Sequence, residues 1–386
     1  MRTNIPIPIS EALHHISISE IAGSVGNFGT VLPLFFAVSL TTGMSLSLML
    51  LVCGFWYIVT GVIYRMPISV EPLKAVAAVA IAGSATPEAI AASGILIGVL
   101  FLILGLTGGM QWILHKIPGP VIRGIQLALG LILLKSAVFD FGLRDIPFFI
   151  TCIGVIIIFL ICKKRWNMPD LAALGVLGIG ASVVLFTTGF PKPALPTLPF
   201  LMIPQISDFA NAMTELVLPQ IPLTLANAVL ATSLLATELY QRPVSADRLS
   251  RTIGVMSLSS SLLGGFPMCH GAGGVAAHHR FGARHGTSMV IGGIILIGAA
   301  TLLTQPETLA AIPKGVFGAL LLAVAVELVN HGIRTDNRFI AILMGIIAIP
   351  AGIVAAFVGG LILAAAMQYR DTRSKKNRIS EPEKKT

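Results

Sequence analysis

Met66-Pro67-Ile68-Ser69-Val70-Glu71-Pro72-Leu73-Lys74 interrupts an apolar run with two prolines and two opposite charges. Pro67 and Pro72 forbid a continuous helix, and Pro72 suits a first helical turn, where its missing N–H is not needed. A short Ala-rich helix is therefore predicted to start inside a membrane-embedded stretch. Gly264-Gly265-Phe266-Pro267-Met268-Cys269-His270-Gly271-Ala272-Gly273-Gly274 does the same in the second half of the chain. Its glycines allow close backbone approach and leave N–H groups unfilled before a second short helix.

The surrounding composition places both segments in a bilayer. Of 386 residues, 55% are hydrophobic and 11% charged, more apolar than a soluble domain of this length can bury. Apolar runs extend from Ile16 to Gln368 and leave no stretch long enough for a soluble domain. The first run begins late, carries Glu11, His14, His15 and Glu20, and lacks a cleavage pattern, so no signal peptide is expected. Cys53, Cys152, Cys162 and Cys269 show no paired spacing, so neither a disulfide framework nor a metal site is expected, and no cofactor.

A helical crossing needs about 20 apolar residues, and breaks at Gly, Pro and charge divide the chain into about fourteen segments. In the first half they lie near 17–41, 44–64, 72–84, 89–112, 119–138, 147–163 and 170–189. In the second half they lie near 211–239, 248–264, 271–283, 286–304, 309–328, 337–349 and 351–368. The predicted units are a first seven-span repeat over 1–190, a connecting loop over 191–210, a second seven-span repeat over 211–369 and a basic cytoplasmic tail over 370–386.

With a cytoplasmic N-terminus, one set of loops collects Arg65, Lys116, Arg123, Lys163, Lys164, Arg165, Arg242, Arg248, Arg251, Arg280, Arg284, Arg334 and Arg338, joined by the tail from Arg370 to Lys385. The opposite set holds Lys135, Arg144, Lys192 and Lys314. This asymmetry follows the positive-inside rule, so the formal charge of +9 reports topology rather than nucleic-acid binding. The expected location is a plasma or inner membrane, crossed many times, with both termini cytoplasmic.

The third member of each half is too short to cross, the pattern of an inverted-repeat transporter with broken helices. An odd repeat length turns the halves over, so the third and tenth segments approach each other near mid-membrane. Each N-terminus offers unfilled N–H donors and about half a positive charge, so two at one cavity make a site for a small dianion.

Glu71 and Lys74 stand at the entry to the first half-helix, where ionisable groups are functional candidates by default. Lys74 is placed to contact an oxyanion and Glu71 to carry a proton; the alternative is that the two pair and neither meets substrate. In Gly23-Ser24-Val25-Gly26-Asn27-Phe28-Gly29-Thr30 the glycines fit close helix packing, whereas Asn27 and Thr30 are candidates to line the site. In Leu218-Pro219-Gln220-Ile221-Pro222-Leu223-Thr224-Leu225-Ala226-Asn227, the side chains of Gln220, Thr224 and Asn227 share a face; they can hold an oxyanion or satisfy backbone freed by the prolines. Pro72, Cys269, His270, Gly271, Ala272 and Gly273 complete the candidate binding set. His278, His279 and His285 with Arg280 and Arg284 suggest a solvated basic loop rather than a metal site.

Enzyme chemistry is not indicated. Cys269 and His270 are sequence neighbours that diverge on a helix, and no metal motif or paired carboxylate is present. A scaffold gives no reason to bury Glu71, Lys74 and His270 beside broken helices.

Residues 67–74 with the following Ala-rich helix, 218–227, and 267–284 together resemble the molybdate transporter family, a short relative of the sulfate permeases. The Cys269-His270-Gly271-Ala272-Gly273-Gly274 string leading into Arg280-Phe281-Gly282-Ala283-Arg284 is its most specific part. The resemblance implies an all-α membrane protein with two inverted seven-span repeats, a core domain holding both half-helices, a gate domain, and no cytoplasmic regulatory domain. It also implies secondary transport of a tetrahedral oxyanion, molybdate first, sulfate as the alternative, and nucleobase–proton symport as a more distant use of the fold. Expected partners are the oxyanion, protons and lipid, with room for a homodimer. The family pattern has Asp where this chain has Asn27 and Gln where it has Glu71, as if the intramembrane carboxylate had moved from the first span to the third.

Overall fold

A computed structural model describes residues 16–83, 85–110, 118–166, 171–196 and 201–380. Lys116, Lys385, Glu11, His14 and His15 lie outside these residues.

The chain is helical almost throughout, with one two-stranded ladder at its centre. The first segment, α1 (Ile18–Thr42), starts at Ser17, whose hydroxyl accepts from Glu20 N at 3.2 Å. Where the sequence predicts one segment near 17–41, the helix divides into Ile18–Ser24 and Phe28–Thr42. The glycines weaken the helix there. Gly26 is pressed so closely on the chain at 277–278 that an added Cβ would stand 2.9 Å from Ala277 O.

Next come α2 (Leu46–Tyr64), β1 (Glu71–Pro72), the half-helix α3 (Lys74–Ile81) and α4 (Pro87–Thr107). Ser45 and Thr86 cap α2 and α4 by accepting from Leu48 N and Ala89 N. Then follow α5 (Gly119–Lys135), α6 (Ile146–Trp166) and α7 (Ala172–Thr188). The second half repeats the order with α8 (Ile206–Tyr240), α9 (Ala246–Leu262), β2 (Met268–Cys269), the half-helix α10 (Ala272–Arg280) and α11 (Gly286–Leu302). A short α12 (Pro306–Ala310), then α13 (Lys314–Gly332) and α14 (Arg338–Ser380) complete it. In α14, Gly352 adopts φ 83° just after Pro350, which separates two helical pieces where the sequence predicts a boundary.

Among the described residues, eight helices are long and apolar enough to cross a membrane. Against the expected fourteen segments, α3 and α10 are short by design, α7 and α11 are shorter apolar helices, and α9 carries Asp247, Arg248 and Arg251. The architecture is that of an inverted-repeat transporter with two broken segments.

Packing divides the helices across the repeats rather than between them. In one bundle α2 lies on α11 and α4 on α9, each pairing an element of the first half with one of the second. In the other, α5 packs on α13 and α14, and α13 packs on α6. The boundary between bundles is thinner and largely apolar, with Phe36 of α1 against Phe317 of α13 at 5.3 Å between ring centroids.

Close backbone approach holds the first bundle together. A Cβ at Gly54 would stand 2.7 Å from Gly293 O, and one at Gly61 would stand 2.6 Å from Gly286 O. These antiparallel contacts use small residues because lipid supplies no hydrophobic drive between helices. Gly54→Leu is expected to cost about 3 kcal/mol through overpacking. A fall of several degrees in the melting temperature of the detergent-purified protein, with loss of a monodisperse peak, would show it.

Candidate functional site

The two half-helices meet at the ladder. β1 and β2 pair antiparallel, Glu71 opposite Cys269 and Pro72 opposite Met268, and Leu73 N donates to Pro267 O at 3.0 Å. Because the strands run in opposite directions, α3 and α10 depart in opposite senses with their N-termini at the crossing. Ser69 fixes the crossing: its hydroxyl donates to Gly271 O at 2.7 Å and accepts from Gly271 N at 3.1 Å.

Glu71 is fully buried and serves both half-helices. Its Oε2 lies 2.8 Å from Lys74 Nζ, and its Oε1 accepts from Gly274 N at 3.1 Å, in the first turn of α10. The paired arrangement of Glu71 and Lys74 is thus the one that forms. Gln220 fills part of the other terminus: its Oε1 accepts from Ala75 N at 2.8 Å while its Nε2 donates to Thr224 Oγ1 at 2.8 Å. Gln220 reaches this position from an α-helical piece of α8, Leu218–Leu223, flanked by turns widened to π-helix over Met213–Val217 and Thr224–Ala231. Pro219 and Pro222 remove two ladder donors there, and such bulges recur at functional sites.

Lys74 N, Val76 N, Ala272 N and Gly273 N take no protein acceptor among the described residues. Gly273 is exposed and Ala272 partly so, which opens the α10 terminus to a mouth beside Lys74. Asn27 stands at the inner wall: its Nδ2 donates to Val70 O at 3.4 Å. A Cβ at Gly274 would come 2.8 Å from Asn27 Cγ and collide with Glu71 Oε1, so the amide and the carboxylate converge on one glycine.

The remaining candidates fall elsewhere. His270 is wholly buried with both ring nitrogens engaged, Nδ1 with Ser69 O at 2.8 Å and Nε2 with Thr252 Oγ1 at 2.7 Å. It braces the loop and does not reach the mouth. Cys269 is buried in β2. Thr30 and Asn227 are half-buried and outside the hydrogen-bond network just described. Pro72 and Gly271 shape the backbone.

Arg280 and Arg284 are exposed and His279 and His285 partly so, as a solvated loop requires, but His278 departs from that reading. His278 is fully buried, with Nδ1 2.7 Å from Gly23 O. Glu20 is buried as well, its Oε1 accepting from Arg284 N at 2.8 Å and His285 N at 3.1 Å. The break in α1 brings these groups together, and loop composition alone does not show it.

Two groups at the mouth were not among the sequence candidates. Glu327 of α13 has its Oε1 3.3 Å from where a Cβ of Gly273 would stand, and His331 Nε2 lies 4.0 Å from that oxygen. The available signal was an acid and a histidine four residues apart near the end of an apolar run.

All these residues except His331 lie within the stretches, 19–133 and 212–328, that match the sequence profile described as "Molybdate transporter of MFS superfamily". Molybdate transporter 2 of Arabidopsis thaliana is similar at 29% identity, over 91% of this chain and 88% of that protein. Molybdate transporter 1 of Chlamydomonas reinhardtii is similar at 26% identity, over 92% and 95%. Among solved structures, the transmembrane domain of the cyanobacterial bicarbonate transporter BicA superposes with a TM-score of 0.61 at 19% identity, covering 90% of this chain and 98% of that one. The murine anion transporter Slc26a9 in its inward-facing state gives 0.66 at 14% identity, covering 94% and 71%. At those identities the two structures speak for the fold, which they share with this chain. The profile covers more than half of the sequence and both half-helices, and on that ground the chain belongs to the molybdate transporter family.

Proposed function

We propose that this protein is a proton-coupled secondary transporter of molybdate, the dianion lying between the N-termini of α3 and α10. The observation that carries the reading is the meeting of two half-helix ends with unfilled N–H groups beside one lysine. Lys74 supplies the full positive charge. The backbone at Lys74, Val76, Ala272 and Gly273 supplies directional donors, and the Gln220–Thr224 pair supplies a neutral wall. Asn27 and Glu71 close the inner end.

A dianion entering a negative interior works against about 2.3 kcal/mol per charge per 100 mV, so uptake needs a coupled driving force, here proposed to be protons. Glu71 is the proposed carrier, because it stands on the same half-helix end that the dianion would approach. A neutral carboxyl there still caps Gly274 through its carbonyl oxygen, without repelling the guest. Motion of the half-helix bundle against the α5–α7 and α13–α14 bundle gives alternating access.

Reconstituted protein in liposomes tests the reading. Molybdate uptake should rise when the outside is acidified and should be outcompeted weakly by equimolar sulfate. Uptake no greater than in empty liposomes, or a clear preference for sulfate, would overturn the molybdate assignment.

A further inference from the structure

Glu327 belongs to α13, in the bundle opposite the half-helices, yet it reaches their mouth. Its Oε1 lies 3.3 Å from where a Cβ of Gly273 would stand, beside the first turn of α10 and the mouth to which Lys74 is partly open. Side-chain exposure rises along the row: 1% for Glu71, 11% for Lys74, 44% for Glu327 and 48% for His331. A row of ionisable groups with rising exposure does not face lipid, so it marks a wet mouth.

The chemistry offered to Glu327 is the chemistry proposed for the substrate. A carboxylate and an oxyanion want the same lysine and the same helix terminus, and two negative groups cannot share them without strong repulsion. We infer that Glu327 is an internal competitor for the oxyanion: poised at the open mouth, its carboxylate swings onto Lys74 and the unfilled N-terminus of α10 and expels the bound dianion. This rests on the transport reading above.

The location makes the competition depend on conformation. Lys74 and Gly273 move with one bundle and Glu327 with the other, and the boundary between them is otherwise apolar at Phe36 and Phe317. When the bundles shift, Glu327 withdraws from the mouth and the site regains its affinity. The groups facing Glu327 are Lys74 and, through it, Glu71 from the half-helix bundle, and His331 from its own helix.

The test is equilibrium binding of radiolabelled molybdate to the purified full-length protein in nanodiscs at pH 7.5. Glu327→Gln is expected to bind about tenfold more tightly than the wild type, and Glu327→Asp to stay near the wild type. A purely structural role predicts weaker binding or none, never a gain. Binding by both proteins with no gain in Glu327→Gln sinks this inference and leaves the transport reading standing; no binding by either sinks both.

Discussion

Lys74→Met is expected to abolish molybdate transport, with affinity falling by roughly two to three orders of magnitude. Lys74 is the sole side-chain cation described at the junction of the half-helices, 2.8 Å from Glu71 and partly open to the mouth. Truncating one partner of a buried charge pair costs about 2–5 kcal/mol, or roughly 30-fold to several thousand-fold in affinity, a span centred on that expectation. Part of the loss reflects Glu71 left as an unpaired buried carboxylate, and that part also destabilises the fold. The double substitution Lys74→Met with Glu71→Gln separates the two effects, since it restores neutrality. It should regain the wild-type melting temperature in detergent and still fail to bind molybdate. Binding retained in the double variant would show that the half-helix dipoles and backbone amides suffice.

Glu71→Gln alone is expected to lower acid-driven uptake more than tenfold, and Asn27→Asp added to it to restore most of the rate. The geometry supports an exchange between these positions, because both side chains converge on Gly274. Asn27 donates to Val70 O, a bond an ionised Asp cannot make and a protonated one can. A carboxyl at position 27 would therefore favour taking a proton, which is the property the exchange requires. The measurement is initial uptake into liposomes at a series of outside pH values. An inert double variant with a normal melting temperature would count against relocation of the proton carrier.

How much of this was legible beforehand depended on the range of the interaction. Pro67, Pro72 and the 264–274 glycines break helices through local backbone chemistry, so the two half-helices could be read directly, as could the apolar runs. Gln220 was a candidate by composition, but its bond to Ala75 N joins residues 145 positions apart. The role of His270 could not be read: its two partners, Ser69 O and Thr252, are set by the ladder and by α9. The break in α1 was hidden because glycine there fits both tight packing and helix interruption.

Sequence by itself determined that this chain lies in a bilayer, that it has two halves, and that each half contains one interrupted helix, because hydropathy, proline and glycine act within a few residues. Tertiary structure alone decided what faces the junction: Glu71 capping the opposite half-helix, Gln220 filling the near one, and Glu327 arriving from another bundle. Those contacts join residues far apart in the chain, and in a membrane their geometry is set by close helix packing, which local pattern does not encode.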